Sequence, residues 1–258
     1  LQSAFHFSAQ MSSLESAVGV LRCFSTSCTE LTVTEVAQML RLPKSNISRL
    51  LRSMREVGLL DSARDGRGYS PGVMLLGFGE VASAGHSLGL RAHAAVARLS
   101  EQSGHAGFVS ARVGAFMVGL THHAGRNPLQ VGVFLGGQRL HIDACATGRA
   151  YLATMNDEAV HDLLDGQVSQ PTPQSPASMQ ELLERLALVR ERGYAESHSE
   201  AGRGVGALAV AVRDDRTAEV LSFCITFPES TVEPAELQSL TQALLKAKSD
   251  IMRTPYER

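Results

Sequence analysis

Twice near the start of the chain a hydroxyl residue stands three places ahead of a glutamate, at Ser12–Glu15 and Thr32–Glu35, and each pair opens an apolar run at helical spacing. That is the pattern of a capping box. The hydroxyl accepts from a first-turn N–H, and the carboxylate reaches back to the N–H of the cap residue. Behind the first box, Leu14, Ala17, Val18 and Leu21 fall at i, i+3, i+4 and i+7; behind the second, Val33, Val36, Ala37 and Leu40 share one face. Pro43 disfavours helical geometry in the residue before it, so the second helix ends there. A third helix is expected to open near Lys44-Ser45, with Ile47, Leu50, Leu51 and Met54 inward, Val57 continuing the stripe, and Gly58 stopping it. Leu59-Leu60, a polar Gly-rich turn from Asp61 to Gly68, and Tyr69 predict a short β-hairpin.

Short helices joined by a tight turn and followed by a hairpin describe a winged helix-turn-helix. The third helix carries a second face. Ser45, Ser48, Arg49 and Arg52 recur at i, i+3, i+4 and i+7 on the side away from the apolar stripe. Short polar groups and arginines on such a face suit a helix lying in the major groove of DNA, where Arg grips guanine edges or phosphates bidentately. The charge distribution points the same way. Residues 11–75 hold eight Lys/Arg against six Asp/Glu, whereas residues 76–258 hold sixteen against twenty, and four of the first eight lie between positions 44 and 55. Arg64 and Arg67 in the hairpin tip could touch flanking phosphates or the minor groove. Arginine on a solvated face is more often simply solubilising. The ordered set of two capped helices, Pro turn, polar-basic third helix and Gly-rich wing favours a DNA reader.

With 258 residues, 44% of them hydrophobic and 19% charged, the chain is long enough for two globular domains. No apolar run is long enough to cross a bilayer, and residues 1–10 lack the basic and apolar regions of a secretory signal. Cys23, Cys28, Cys145 and Cys224 are scattered with no C-x-x-C, which argues against a disulfide framework and a cysteine zinc site and for a reducing, cytoplasmic compartment. The organisation predicted is α+β. A flexible arm spans 1–11, a winged helix-turn-helix 12–75, a helical linker 76–89, and a second domain 90–258.

In that second domain a helix is expected at about Leu88–Ser103, using Leu90, Ala94, Val96, Ala97 and Leu99. Strands are expected at Gly107–Val113, Phe116–Thr121, Val131–Leu135 and, after a turn at Gly136-Gly137, Arg139–Asp143. Later come a helix start near Ala144–Ala153, a short helix at Asp157–Leu164, and an exposed Pro/Gln/Ser-rich loop over 165–178. The remaining elements are a helix over Ser178–Arg192, strands at Tyr194–Ser197, Ala207–Val212 and Val220–Thr226, and a closing helix over Pro234–Met252. An antiparallel sheet flanked by helices beside a DNA reader suggests a small-molecule sensor.

Other constellations are weaker. His122-His123, His141 and Asp143 do not make a metal site by pattern, because adjacent residues on an extended segment point to opposite sides. Cys145 and Cys224 read as buried small thiols rather than a redox pair. Gly202–Gly206 lacks the strand-loop-helix setting and the Lys-Ser/Thr of a phosphate loop, and reads as a turn into a strand. There is no Gly-x-Ser-x-Gly elbow, and nothing selects a catalytic triad, so no enzyme, metal or cofactor is expected.

Three motifs in order carry a resemblance. They are Leu42-Pro43-Lys44-Ser45-Asn46-Ile47-Ser48-Arg49-Leu50-Leu51 with Glu56-Val57-Gly58-Leu59, then Ala146-Thr147-Gly148-Arg149-Ala150-Tyr151-Leu152-Ala153, then Glu200 through Gly204-Val205 to Ala209–Val212. With them the chain resembles the IclR family of bacterial transcriptional regulators, collinearly from about Ser12 to Met252. The resemblance implies a winged helix-turn-helix joined by a helix to a GAF-like effector domain. It also implies binding as a dimer, or a tetramer built as a dimer of dimers, to a pseudo-palindromic operator in double-stranded DNA, under control of an effector such as an aromatic or small carboxylic acid. No cofactor is implied.

By position, Lys44, Ser45, Asn46, Ser48, Arg49 and Arg52 would form the recognition face. The effector pocket would use Cys145, Thr147 and Gly148 at a helix start, whose N–H groups and dipole suit an anion. Cys224 and Thr226, two apart on one strand face, match ligand-facing positions in relatives; Ser197, Val205 and Ala207 would complete the wall. Asp143 stands where a His is common, Ser197-His198 where an acidic pair is frequent, and Ala211 where Pro is usual. The competing reading is a small-molecule-binding module or enzyme whose N-terminal helices only dimerise.

Overall fold

The computed structural model describes residues 12–24, 28–63, 66–84, 87–127 and 139–253. The arm expected over 1–11, Arg64, Gly85, and the strand expected at 131–135 with its Gly136-Gly137 turn lie outside the described residues. The chain divides into two compact units between Gly85 and His86, a point inside the segment expected as a linker.

In the first unit, α1 (Ser13–Leu21) and α2 (Val33–Leu40) both open on complete capping boxes. Ser12 Oγ accepts from Glu15 N at 3.2 Å while Glu15 Oε2 accepts from Ser12 N at 2.8 Å, and Thr32 and Glu35 repeat the exchange at 3.3 and 2.7 Å. Arg41, left-handed at φ 54°, ends α2. After Leu42-Pro43 the chain enters α3 (Lys44–Glu56), and Gly58, at φ 78°, turns it into β1 (Leu60–Ser62). Antiparallel β2 (Tyr69–Pro71) sets Leu60 opposite Pro71 and Ser62 opposite Tyr69. Leu31, just before α2, pairs with Tyr69 through N–H···O bonds of 2.9 and 2.8 Å, a third edge to the wing that the sequence pattern did not reveal. Next comes α4 (Met74–Ala84).

The core of this unit joins Val20, Phe24, Leu31, Val36, Leu40, Ile47, Leu51, Met54 and Leu60. Two expectations need correction. On α1, Leu14 is 74% exposed and the inward stripe is Ala17, Val20 and Leu21, with Phe24 packed beside it just past the helix end. Its spacing is the same as that of the predicted face, but this register also buries the Phe24 ring and so removes more apolar surface from water. Val57 is 58% exposed, because the helix has ended and the residue is its C-cap. The hairpin turn is also tighter than expected, since Asp61 belongs to β1.

The second unit starts with α5 (Ser87–Ser103), β3 (Ala106–Val113), β4 (Phe116–His123) and β5 (Arg139–His141). Three helices follow, α6 (Ala146–Leu152), α7 (Asp157–Leu163) and α8 (Met179–Arg192). Strands β6 (Ala195–His198), β7 (Val205–Arg213) and β8 (Val220–Pro228) and the helix α9 (Pro234–Arg253) complete it. The strands make one antiparallel sheet in the order β5-β4-β3-β8-β7-β6.

Period two divides the sheet between its faces. Val109, Leu208, Val210, Val212, Leu221, Phe223, Ile225 and Phe227 pack with α5 and α9. Ala106, Phe108, Ala195, Ala209, Ala211 and Cys224 face Ala146 and Ala150 of α6, with Val189 of α8 beside them. So many small residues let α6 lie close to the sheet.

Three readings differ here. On α5 the buried face is Leu88, Ala92, Ala95, Val96 and Leu99, while Leu90 and Ala94 face outward. The strand expected through Asp143 stops at His141, and Ile142–Ala144 form a 3-10 turn. The 165–178 loop is not simply exposed, because its Thr172 and Ser175 are buried.

Candidate functional site

The sequence nominated two surfaces. On α3, Ile47, Leu51 and Met54 are buried in the core of the first unit and hold the helix by one side. Lys44, Ser45, Asn46, Arg49 and Arg52 are exposed on the remainder, with Ser48 half-buried at the edge. None of Lys44, Arg49 and Arg52 forms an ion pair with a described residue, so their charges remain unspent. Arg55 joins the helix to the hairpin: its Nη1 donates to Ser62 Oγ at 3.4 Å and its guanidinium lies 5.9 Å from the Tyr69 ring centre. Arg67 is exposed on the hairpin turn beside Gly66, whose φ is 70°. Arg64 is outside the described residues. A helix presenting hydroxyl, amide and guanidinium groups beyond an anchored stripe can be laid into a groove lined by base edges and phosphates.

The second surface is a cavity in the second unit, between the sheet and the start of α6. It holds about 580 Å³ of empty space counted out through its open mouth. Seven of the eight residues named for it line one wall or another: Cys145, the N-cap of α6, Thr147 from α6, Ser197 from β6, Val205 and Ala207 from β7, and Cys224 and Thr226 from β8. Gly148 does not. It packs on the backbone of Ile142, where a Cβ would sit 1.9 Å from the Ile142 carbonyl oxygen, so only glycine fits. Its N–H donates to Cys145 Sγ at 3.3 Å and is no longer open to a ligand. The anion cradle expected at this helix start therefore lacks one of its donors.

The polar groups lining the cavity are hydroxyls and thiols. Thr226 Oγ1 donates to Ala106 O at 3.3 Å, and Cys145 Sγ lies 3.5 Å from Thr147 Oγ1. Burial pushes the Cys145 thiol up, and pushes Cys224 to about 12, so both stay protonated at neutral pH. Phe108, Ser110, Met117, Gly119, Leu140, Ala146 and Ala201 also line the cavity and were not anticipated. Phe108 pairs with Cys224 and Ala106 with Thr226 across β3 and β8. Alternation along β3 was readable, but the pairing of strands more than 110 residues apart was not.

The histidines set aside earlier do not converge. His123 Nε2 lies 3.2 Å from His93 Nδ1, the His122 ring sits 5.0 Å from Phe108, and His141 sits 4.8 Å from Phe116. Burial lowers the pKa of His122 and His123, and His93 beside His123 adds to the second shift. Asp143 is buried and accepts from Ser169 N at 2.5 Å and Ser169 Oγ at 2.8 Å. Among the described residues, no group of three or more His, Cys, Asp or Glu is arranged to hold a metal ion. No helix of the described residues is long and apolar enough to cross a membrane.

Comparison with known proteins agrees with this geometry. The family model described as bacterial transcriptional regulator IclR C-terminal matches residues 83–253, and the IclR helix-turn-helix domain matches residues 13–63. The chain is 27% identical over 239 residues to the HTH-type transcriptional regulator XynR of Escherichia coli K12, covering 91% of this chain and 93% of that one. It is 24% identical over 251 residues to the transcriptional repressor IclR of the same organism, covering 94% and 89%. The crystal structure of an IclR transcriptional regulator from Alicyclobacillus acidocaldarius superposes with a TM-score of 0.75 at 23% identity, over 94% of this chain and 98% of that one. An IclR homologue from Microbacterium hydrocarbonoxydans, crystallised with 4-hydroxybenzoate, superposes with a TM-score of 0.72 at 19% identity, over 94% and 100%. The chain belongs to the IclR family of bacterial transcriptional regulators, with an N-terminal helix-turn-helix domain for DNA and a C-terminal domain for an effector.

Proposed function

We propose that α3 enters the major groove of a pseudo-palindromic operator, that the protein binds it as a homo-oligomer in the cytoplasm, and that a small organic molecule in the cavity modulates that binding. The observation that carries the reading is the division of α3. Ile47, Leu51 and Met54 hold it to the core, while Lys44, Ser45, Asn46, Arg49 and Arg52 stand clear with no ion-pair partner among the described residues. Arg67 on the hairpin reaches the flanking backbone. Two-fold symmetric proteins match two-fold symmetric sites, so a dimer protects two half-sites about one helical turn, roughly 34 Å, apart. The cavity takes the effector through Cys145, Thr147, Ser197, Val205, Ala207, Cys224 and Thr226. Its position beside a helix start and across the strands of the sheet lets a ligand bear on both.

The test is selection of genomic DNA fragments by the purified protein, with Arg49→Ala in parallel, followed by footprinting. Protection of a short inverted repeat by the wild type alone is expected. Failure of the wild type to select any sequence, with and without a panel of aromatic and aliphatic acids that begins with 4-hydroxybenzoate, would overturn the reading. The competing enzyme or dimerisation-only reading would then stand.

A further inference from the structure

One buried charge cluster beside the cavity is not used by either surface. Arg149 of α6 is 2% exposed. Its Nη1 pairs with Glu200 Oε2, and its Nη2 donates to Glu200 Oε1 at 3.0 Å and to the Glu196 carbonyl at 2.6 Å. Glu200 is 6% exposed, and its Oε1 also meets Arg185 Nη1 at 3.2 Å. The Glu200 carbonyl accepts from Thr172 Oγ1 at 3.0 Å and Ser175 Oγ at 2.9 Å. One residue earlier, Ser199 is left-handed at φ 55°; its Oγ donates to Glu229 Oε2 at 2.5 Å and accepts from Gly204 N at 2.8 Å. The turn from Ser199 to Gly204 is therefore held by α6, by the 165–178 loop and by the end of β8.

That turn is also a wall of the cavity. It contributes Ala201 and is flanked by Ser197 and Val205, while the cap residue Cys145 and the first α6 residues, Ala146 and Thr147, line the cavity within the turn that leads to Arg149. A buried ion pair is a weak source of net stability, because desolvation offsets much of the attraction. Its fixed bidentate geometry is what an apolar pair could not supply.

We propose that Arg149 and Glu200 are positioning residues of the effector cavity: they hold the Ser199–Gly204 turn against the start of α6, so that releasing the pair opens the cavity. The effector role of the cavity rests on the function proposed above; the mechanical claim does not. The chain carries its own reporters. Cys145 and Cys224 line the cavity and are buried, whereas Cys23 and Cys28 belong to the first unit.

The full-length protein is labelled with N-ethylmaleimide and each cysteine is followed by mass spectrometry. In Glu200→Gln, and in Thr172→Val combined with Ser175→Ala, labelling of Cys145 and Cys224 rises at least tenfold while Cys23 and Cys28 keep their rates. The double variant Arg149→Met with Glu200→Leu separates positioning from bulk stability. It keeps the raised labelling at a melting temperature close to that of the wild type. Labelling of the cavity thiols at the wild-type rate in this double variant would overturn the proposal, as would an equal rise at all four cysteines in every variant. If the variants open the cavity but no acid in the panel slows labelling of wild-type Cys145 and Cys224, the effector reading fails and the positioning role stands.

Discussion

Arginine does opposite work on the two helices that mark the functional surfaces. On α3, Arg49 and Arg52 stand on the exposed side of a helix whose other side is core, and no described acid pairs with them. On α6, Arg149 is buried and committed to Glu200 and to the Glu196 carbonyl. A charge kept in water remains available to an anionic partner. A charge taken out of water must be matched inside the protein, and once matched it can only shape its surroundings. The first unit thus keeps cations exposed on α3, and the second buries matched charge beside its cavity.

The contrast is broken most directly at Glu200. Replacement by Ala leaves Arg149 buried without its partner and should cost about 3–5 kcal/mol of stability, read as a large fall in the denaturation midpoint. Arg49→Ala should leave stability within about 0.5 kcal/mol of wild type, as surface changes do. It should weaken operator binding by about 1–3 kcal/mol, measured by anisotropy. If Arg49→Ala destabilises the fold or Glu200→Ala does not, the two arginines are not opposites.

A finer test separates support of α3 from contact by α3. Thr32→Ala removes the cap of the neighbouring helix and should cost about 1 kcal/mol of stability. Arg52→Ala should instead lower the slope of log affinity against log salt by about 1, because fewer counterions leave the phosphates. The last test concerns pH and is confined to alkaline solution. Burial holds the Cys224 thiol at about 12, against an ordinary value of 9.0, so the folded chain keeps a proton that the unfolded chain releases. That contribution is fully present below about pH 9 and is lost as the pH rises towards 12. Cys224→Ala should make the alkaline fall in melting temperature shallower, and an unchanged slope would show that the thiol is better solvated than its burial indicates.

How much was legible follows the range of the interactions involved. The capping boxes at Ser12 and Thr32, the Pro43 break and the polar face of α3 are local, and each stands where the sequence pattern puts it. The register of α1 is ambiguous in the sequence because two stripes of equal spacing overlap, and only the packing of Phe24 chooses between them. In the cavity, Cys224 and Thr226 were recognisable as neighbours on one face. Phe108 and Ser110 were not linked to them, since β3 meets β8 only in the folded sheet. The 165–178 loop looked like a solvated connection from its composition. Nothing local indicates that Thr172 and Ser175 will find the carbonyl of Glu200.

The sequence by itself determined the two capping boxes, the Pro43 break and the polar side of α3, because these depend on residues within a turn or two of one another. Tertiary structure alone decided that Gly148 packs on Ile142 instead of opening towards a ligand. It also decided that Arg149 is spent on Glu200 and that a turn from another part of the chain walls the cavity. Those outcomes depend on which groups lose water together, and that is settled only when strands and loops far apart in sequence close around one core.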